Sequence, residues 1–91
     1  MLEQRDVKIK RLAMRSMRRG IKEMDLILSA YADAHLAGLD DADLALYDDL
    51  LSENDHDLYA WVTGHQTTPA QYARMMDVVR ADAKGLTKPA T

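Results

Sequence analysis

Residues 21–38 read IKEMDLILSAYADAHLAG. Met24, Ile27, Leu28 and Tyr31 fall at i, i+3, i+4 and i+7, with Leu36 near the end of the run. That spacing places one apolar stripe on a helix and polar residues on the rest. It predicts a helix over about 21–37, with Gly38 where a left-handed C-terminal cap is expected. Outward from this segment, Gly20, Gly38, Gly64 and Gly85 divide the chain, and every division carries a helical pattern. No stretch alternates at period two for long enough to build a sheet.

Upstream, residues 5–18 place Ile9, Leu12, Ala13 and Met17 on one face among basic residues. Downstream, Asp40 suits an N-cap, with Asp43 three residues on and Leu39 and Leu44 in the staple positions. Leu46 or Tyr47, then Leu50 and Leu51, continue that helix to about 53. A fourth helix starts at Asn54 or Asp55, with acids in its first turn, and runs to Gly64. It turns Leu58, Trp61 and Val62 inward. A fifth opens Thr68-Pro69-Ala70-Gln71, a threonine cap with proline at the first helical position. Its stripe is Tyr72, Met75 or Met76, and Val79, stopping near Gly85. The expected fold is all-α, a small five-helix bundle with short connections, so that consecutive helices pack as neighbours. Residues 1–85 form one helical domain in this reading, and 86–91 a flexible C-terminal tail.

Composition agrees. Ala, Leu and Met number 31 of 91 residues, against 12 for Val, Ile and Thr, and the first set has the side-chain freedom that helices reward. Phe is absent, so four tyrosines and Trp61 supply the aromatic bulk. The net charge of −3 conceals a split. Residues 1–23 hold eight basic residues against three acids, a net +5, while residues 24–91 hold four against twelve, a net −8.

Several chemistries are excluded or disfavoured. With no cysteine there is no disulfide, thiolate zinc site, iron–sulfur cluster or cysteine nucleophile. A secreted protein of this size usually needs disulfides, so an intracellular setting is expected. No run approaches the roughly 20 apolar residues of a membrane span. The N-terminus lacks both a signal-peptide core and the Ser-rich, acid-poor character of a transit peptide. His35, His56 and His65 make no i, i+3 or i, i+4 pair with one another. Asp55-His56-Asp57 lacks the glycine and the closing acid of a calcium loop. No nucleophile elbow, P-loop or dinucleotide fingerprint is present, so no catalytic residue is assigned and an enzyme is not expected. The basic N-terminal segment fits an acidic protein partner better than nucleic acid, because the rest of the chain would repel a phosphate backbone.

Two stretches remain. In Arg18-Arg19-Gly20-Ile21-Lys22-Glu23-Met24-Asp25, charges gather around a glycine between two helices. Gly20 permits either a positive φ or close approach by another backbone. Arg19 and Glu23 would share a face on a continuing helix and pair there. In residues 53–64, ENDHDLYAWVTG, a capped acidic turn leads straight into aromatic residues. The plain account of the first is a helix break with a surface ion pair. For the second it is Leu58 and Trp61 in the core behind acidic caps.

Together, R-R-G-x-x-E-x-D-L and, some 30 residues later, L-L-x-E-x-D-x-D-L-Y-x-W-x-x-G resemble the succinate dehydrogenase flavinylation factors, also called succinate dehydrogenase assembly factor 2. The resemblance spans residues 11 to about 84. It implies a non-enzymatic five-helix protein that binds the flavoprotein subunit of succinate dehydrogenase, and in some bacteria of fumarate reductase. Such a factor promotes covalent attachment of FAD to a histidine of that subunit. On this chain the implied working surface is Arg19, Gly20 and Glu23, extended by Arg18 and Asp25. Asp57, Tyr59 and Trp61 match the second, mainly structural motif. The family often has Phe where Tyr31 and Tyr47 stand. The expected factor is a monomer that holds no cofactor or metal of its own and acts on its partner's FAD. It would work in a bacterial cytoplasm, or in the mitochondrial matrix if a presequence has been removed. The rivals are a helical adaptor docking through the basic first helix and a small nucleic-acid binder.

Overall fold

The computed structural model describes residues 3–84. Within them lie five α-helices: α1 (Arg5–Arg15), α2 (Lys22–His35), α3 (Asp41–Leu51), α4 (Asp55–Thr63) and α5 (Ala73–Ala83). A 3-10 turn, Leu36–Gly38, follows α2, and another, Ala70–Tyr72, precedes α5. The described residues contain no strand. The expected tail 86–91 and the stop at Gly85 lie outside the described residues.

Local chemistry sets most boundaries. Asp40 caps α3 by accepting the Asp43 amide at 2.8 Å, with Leu44 fully buried and Leu39 packed on the core as the staple. Asn54 caps α4 through the His56 amide at 2.8 Å, and Gly64 ends it at φ +81° in the left-handed region.

Three boundaries differ from expectation. Helix α1 stops at Arg15, so Met17 is half exposed and the inward position goes to Ser16, which is fully buried. Its hydroxyl bonds the Leu12 carbonyl at 2.8 Å and the Tyr47 hydroxyl at 2.6 Å, so a polar group is accommodated where an apolar one was expected. Gly38 is not left-handed: the chain runs on as the 3-10 turn, closed by the Leu39 amide on the Leu36 carbonyl at 3.2 Å, and Arg5 braces it from α1. Its guanidinium takes the carbonyls of Ala37, at 3.2 Å, and of Leu39. Thr68 does not cap α5. Pro69 leads into the 3-10 turn, and the Thr68 hydroxyl accepts from Arg80 at 3.2 Å. The same guanidinium caps the end of α4 at the Trp61 carbonyl, 3.0 Å away.

Helix α2 is the centre of the bundle, packing on α1, α4 and α5, while α1 also lies on α3. Sequence neighbours α1–α2 and α4–α5 meet as expected, but the most extensive packing joins α2 to α5 across the chain. Being held by both α2 and α4 gives α5 a wide apolar face, which is why Met75 and Met76 are both buried. On α3 it is Tyr47 that is fully buried and Leu46 that is half-buried. In place of phenylalanines, Tyr31 stacks at a tilt on Tyr47 with ring centroids 5.1 Å apart, and Trp61 on Tyr72 at 6.0 Å. Burial pushes the Tyr47 hydroxyl up to about 12. No helix among the described residues is long and apolar enough to cross a membrane.

Candidate functional site

The charge split is used inside the molecule. Arg11, Arg15 and Arg19 recur every four residues, and each reaches an acid of the −8 half. Arg11 pairs with Asp48 at 3.0 Å and also with Glu3 at 2.8 Å. Arg15 pairs with the same Asp48, and Arg5 reaches Asp41 at 3.3 Å. The hydrogen bond from Arg11, with Arg15 close by, holds the Asp48 carboxyl below the usual carboxylate range. The basic helix α1 therefore docks largely on its own chain. A nucleic-acid or adaptor reading that needs a free basic helix loses most of its cations. Lys10, Arg18 and Lys22 remain exposed with no ion-pair partner among the described residues.

The last of these pairs builds the candidate site. Residues 16–21 leave α1 and enter α2 as an irregular loop. One carboxylate, Asp55 in the first turn of α4, holds it from the side. Its Oδ1 accepts from Arg19 Nε at 2.8 Å, and its Oδ2 accepts from the Gly20 amide at 2.6 Å. Arg19 also donates to the carbonyls of Arg15 at 3.1 Å and Glu53 at 3.5 Å. Its side chain is only 11% exposed and that of Asp55 17%, the most enclosed ion pair among those described. Charge-assisted hydrogen bonds so enclosed are each worth about 1.5–3 kcal/mol.

Gly20 is not at positive φ. A Cβ there would sit 3.0 Å from Asp55 Oδ2 and within 4 Å of nothing else beyond its chain neighbours. The close approach that demands glycine is thus made by a side-chain oxygen and not by another backbone. Nor do Arg19 and Glu23 pair, because α2 begins only at Lys22 and Arg19 has turned away to α4. Asp55 is the residue whose role sequence reasoning missed, although it stands in the second motif as the first D of E-x-D-x-D. It lies 35 residues from Gly20 and looks like any acid in a first helical turn, a position the helix dipole already favours.

The remaining motif residues face outward. Glu23, exposed in the first turn of α2, makes no side-chain bond among the described residues. Asp25 is half-buried and accepts the Arg18 amide on Oδ1 at 2.8 Å. Arg18 itself has φ +57°, the one non-glycine positive φ among the described residues. That conformation costs an ordinary side chain about 1 kcal/mol. Gly20 is exposed between these groups. The structure thus brings Arg18, Gly20, Glu23 and Asp25 to one edge and uses Arg19 beneath it.

The residues of the second motif belong mainly to the core of α4. Trp61 is buried and Tyr59 half-buried against the core, while Asp57 is exposed. Next to them, Tyr72 donates to Glu53 Oε2 at 2.8 Å, tying α5 to the turn that also receives Arg19. Burial, and then this bond to Glu53, push the Tyr72 hydroxyl up. Elsewhere, a cavity of about 270 Å³ is lined by Tyr31, His35, Leu39, Asp43, Arg74 and Met75, among others. It is smaller than the range typical of small-molecule sites and far too small for a flavin dinucleotide. The described residues hold no cluster of three or more His, Asp or Glu that would suit a metal ion. What the edge presents is an exposed guanidinium, Arg18, and an exposed carboxylate, Glu23.

Comparison with known proteins gives this geometry its context. A family model described as flavinator of succinate dehydrogenase matches residues 10–83. The mitochondrial succinate dehydrogenase assembly factor 2 of Drosophila grimshawi is 39% identical over 83 residues, covering 88% of this chain and 56% of that protein. The corresponding protein of Meyerozyma guilliermondii is 47% identical over 68 residues, 74% of this chain and 50% of its own length. That of Debaryomyces hansenii is 38% identical over 88 residues, 91% and 62% respectively. The chain spans about half the length of the curated relatives it matches. The match runs from inside α1 to the last residue of α5 and includes both halves of the Arg19–Asp55 clamp. The chain belongs to the family of flavinators of succinate dehydrogenase.

Proposed function

We propose that this chain is an assembly factor that binds the flavoprotein subunit of succinate dehydrogenase and promotes covalent attachment of FAD to a histidine of that subunit. The observation that carries this reading is a fixed, exposed edge of unpaired charge at the R-G-x-x-E element, in a chain that belongs to this family. The bond forms between flavin and the partner's own side chain, so the factor needs no nucleophile and no resident cofactor. Its contribution is orientation, holding reacting groups at the distance and angle that make attachment fast. Glu23 and Arg18 contact the partner, Gly20 makes room for the Asp55 carboxylate beneath them, and Arg19 holds the edge in place from inside. The chain acts as a monomer and not as an enzyme. It works wherever the flavoprotein is matured, which for the relatives named above is the mitochondrion.

The test is covalent flavin loading. In cells lacking their own factor, the denatured flavoprotein subunit is examined for in-gel flavin fluorescence after expression of this chain or of Glu23→Ala. The expected result is full fluorescence with the wild type and a several-fold loss with the variant at unchanged helical content. Full loading by Glu23→Ala would remove the surface from this role. No loading by the wild type would remove the function.

A further inference from the structure

Arg18 is the one place among the described residues where the backbone accepts a left-handed conformation without a glycine. The chain fixes it there, because the Arg18 amide donates to Asp25 Oδ1 at 2.8 Å. Nothing inside the molecule uses the side chain: it is exposed and has no hydrogen-bond or ion-pair partner among the described residues. Glycine would take the same conformation without the steric penalty. A strained position whose side chain does no internal work points to use outside the chain.

We infer that the Arg18 guanidinium is a specificity contact that receives a carboxylate of the partner protein, presented by its left-handed backbone and the Asp25 brace. This rests on the proposed function and names the chemistry of its docking edge. Arginine's planar fork suits a carboxylate through two parallel N–H···O bonds. A free phosphate or the pyrophosphate of FAD would fit the fork equally well, but the surroundings favour a protein. Glu23 stands exposed nearby and would repel a dianion. Half-exposed Met17 precedes Arg18, and half-exposed Leu26 follows Asp25. A mixed charged and apolar patch matches a protein surface, not a polyanion.

The experiment measures the melting temperature of the full chain and its Kd for the purified flavoprotein subunit, both FAD-free and loaded with non-covalent FAD. Arg18→Gly and Arg18→Lys are compared with wild type. Arg18→Gly is expected to raise Tm by about 2–4 °C, since relief of strain exceeds the added unfolded-state freedom. It should weaken Kd about 10- to 100-fold toward both forms of the subunit. Arg18→Lys keeps both the strain and the charge, so Tm should stay unchanged and Kd weaken less than with glycine. An unchanged Kd for Arg18→Gly, or a lowered Tm, would overturn the inference. Weakening confined to the FAD-loaded subunit would assign the anion to the flavin's phosphates and overturn the carboxylate. Failure of the wild type to bind either form would instead strike the proposed function itself.

Discussion

Replacing Gly20 by alanine should destabilise the wild-type chain and stabilise a chain that lacks the Asp55 carboxylate. In the wild type the new Cβ lies 3.0 Å from Asp55 Oδ2, so that oxygen must retreat by a few tenths of an ångström. It cannot do so freely, because it accepts the Gly20 amide at 2.6 Å while its twin holds Arg19 Nε at 2.8 Å. Loosening one charge-assisted bond worth about 1.5–3 kcal/mol, without losing it, costs about 1 kcal/mol. In a domain of this size that is a fall in Tm of about 4–8 °C. Asp55→Ala alone removes both bonds and leaves Arg19 with backbone carbonyls, a cost of about 2–4 kcal/mol. In that background the alanine at position 20 meets no atom within 4 Å beyond its chain neighbours, at a φ alanine accepts. It should then stabilise by about 0.4–1 kcal/mol, through the narrower freedom of the unfolded chain. Urea titrations of the four proteins close the cycle, and the expected coupling is about 1.5–2 kcal/mol. Effects that add to within about 0.5 kcal/mol, or an alanine with the same sign in both backgrounds, would show that Asp55 is not what keeps position 20 a glycine.

Four further outcomes follow from named contacts. Ser16→Ala should cost about 1–2 kcal/mol in urea, because the fully buried Tyr47 hydroxyl is left with only the Leu28 carbonyl at 3.5 Å. Tyr47→Phe should cost less, since Ser16 keeps its bond to Leu12 at 2.8 Å. Asp48, whose carboxyl is held low by Arg11 and Arg15, contributes its stability above about pH 4 and loses it as pH falls through the depressed folded value. Asp48→Asn should therefore flatten the acid limb of a Tm-against-pH curve. Tyr31 and Tyr47 are pushed up to about 12 by burial. Stability should accordingly hold up to about pH 10, where unfolded tyrosine ionises, and fall between there and about 12 in far-UV circular dichroism.

The helices were legible because their cause is periodic. Met24, Ile27, Leu28 and Tyr31 announce α2 by spacing alone, and Asp40, Asn54 and Gly64 announce boundaries by chemistry confined to one turn. What failed was settled by groups distant in the chain. Position 38 has the right residue for a left-handed cap, but the chain runs on as a 3-10 turn whose Ala37 and Leu39 carbonyls are taken by Arg5, more than 30 residues earlier. Thr68 has the right residue for an N-cap and is claimed by Arg80. The motif edge divides in the same way. Arg18, Arg19, Gly20, Glu23 and Asp25 could be named from the sequence, yet which of them face outward depends on Asp55. A carboxylate 35 residues away has no local signature. The charge split was visible as a number, and its meaning as an internal zipper needed the register of Arg11, Arg15 and Arg19 against Asp48 and Asp55.

The Gly20 amide belongs to an exposed loop, where hydrogen exchange is ordinarily set by small local openings. Here opening breaks its bond to Asp55 Oδ2, whose twin oxygen holds the enclosed Arg19. Its exchange should therefore resemble that of the helices it joins and not that of a loop. A loop so held is already ordered, so on the proposed docking role a partner would lose little affinity to ordering it. On that proposal a small edge suffices for firm binding, and release needs no unfolding.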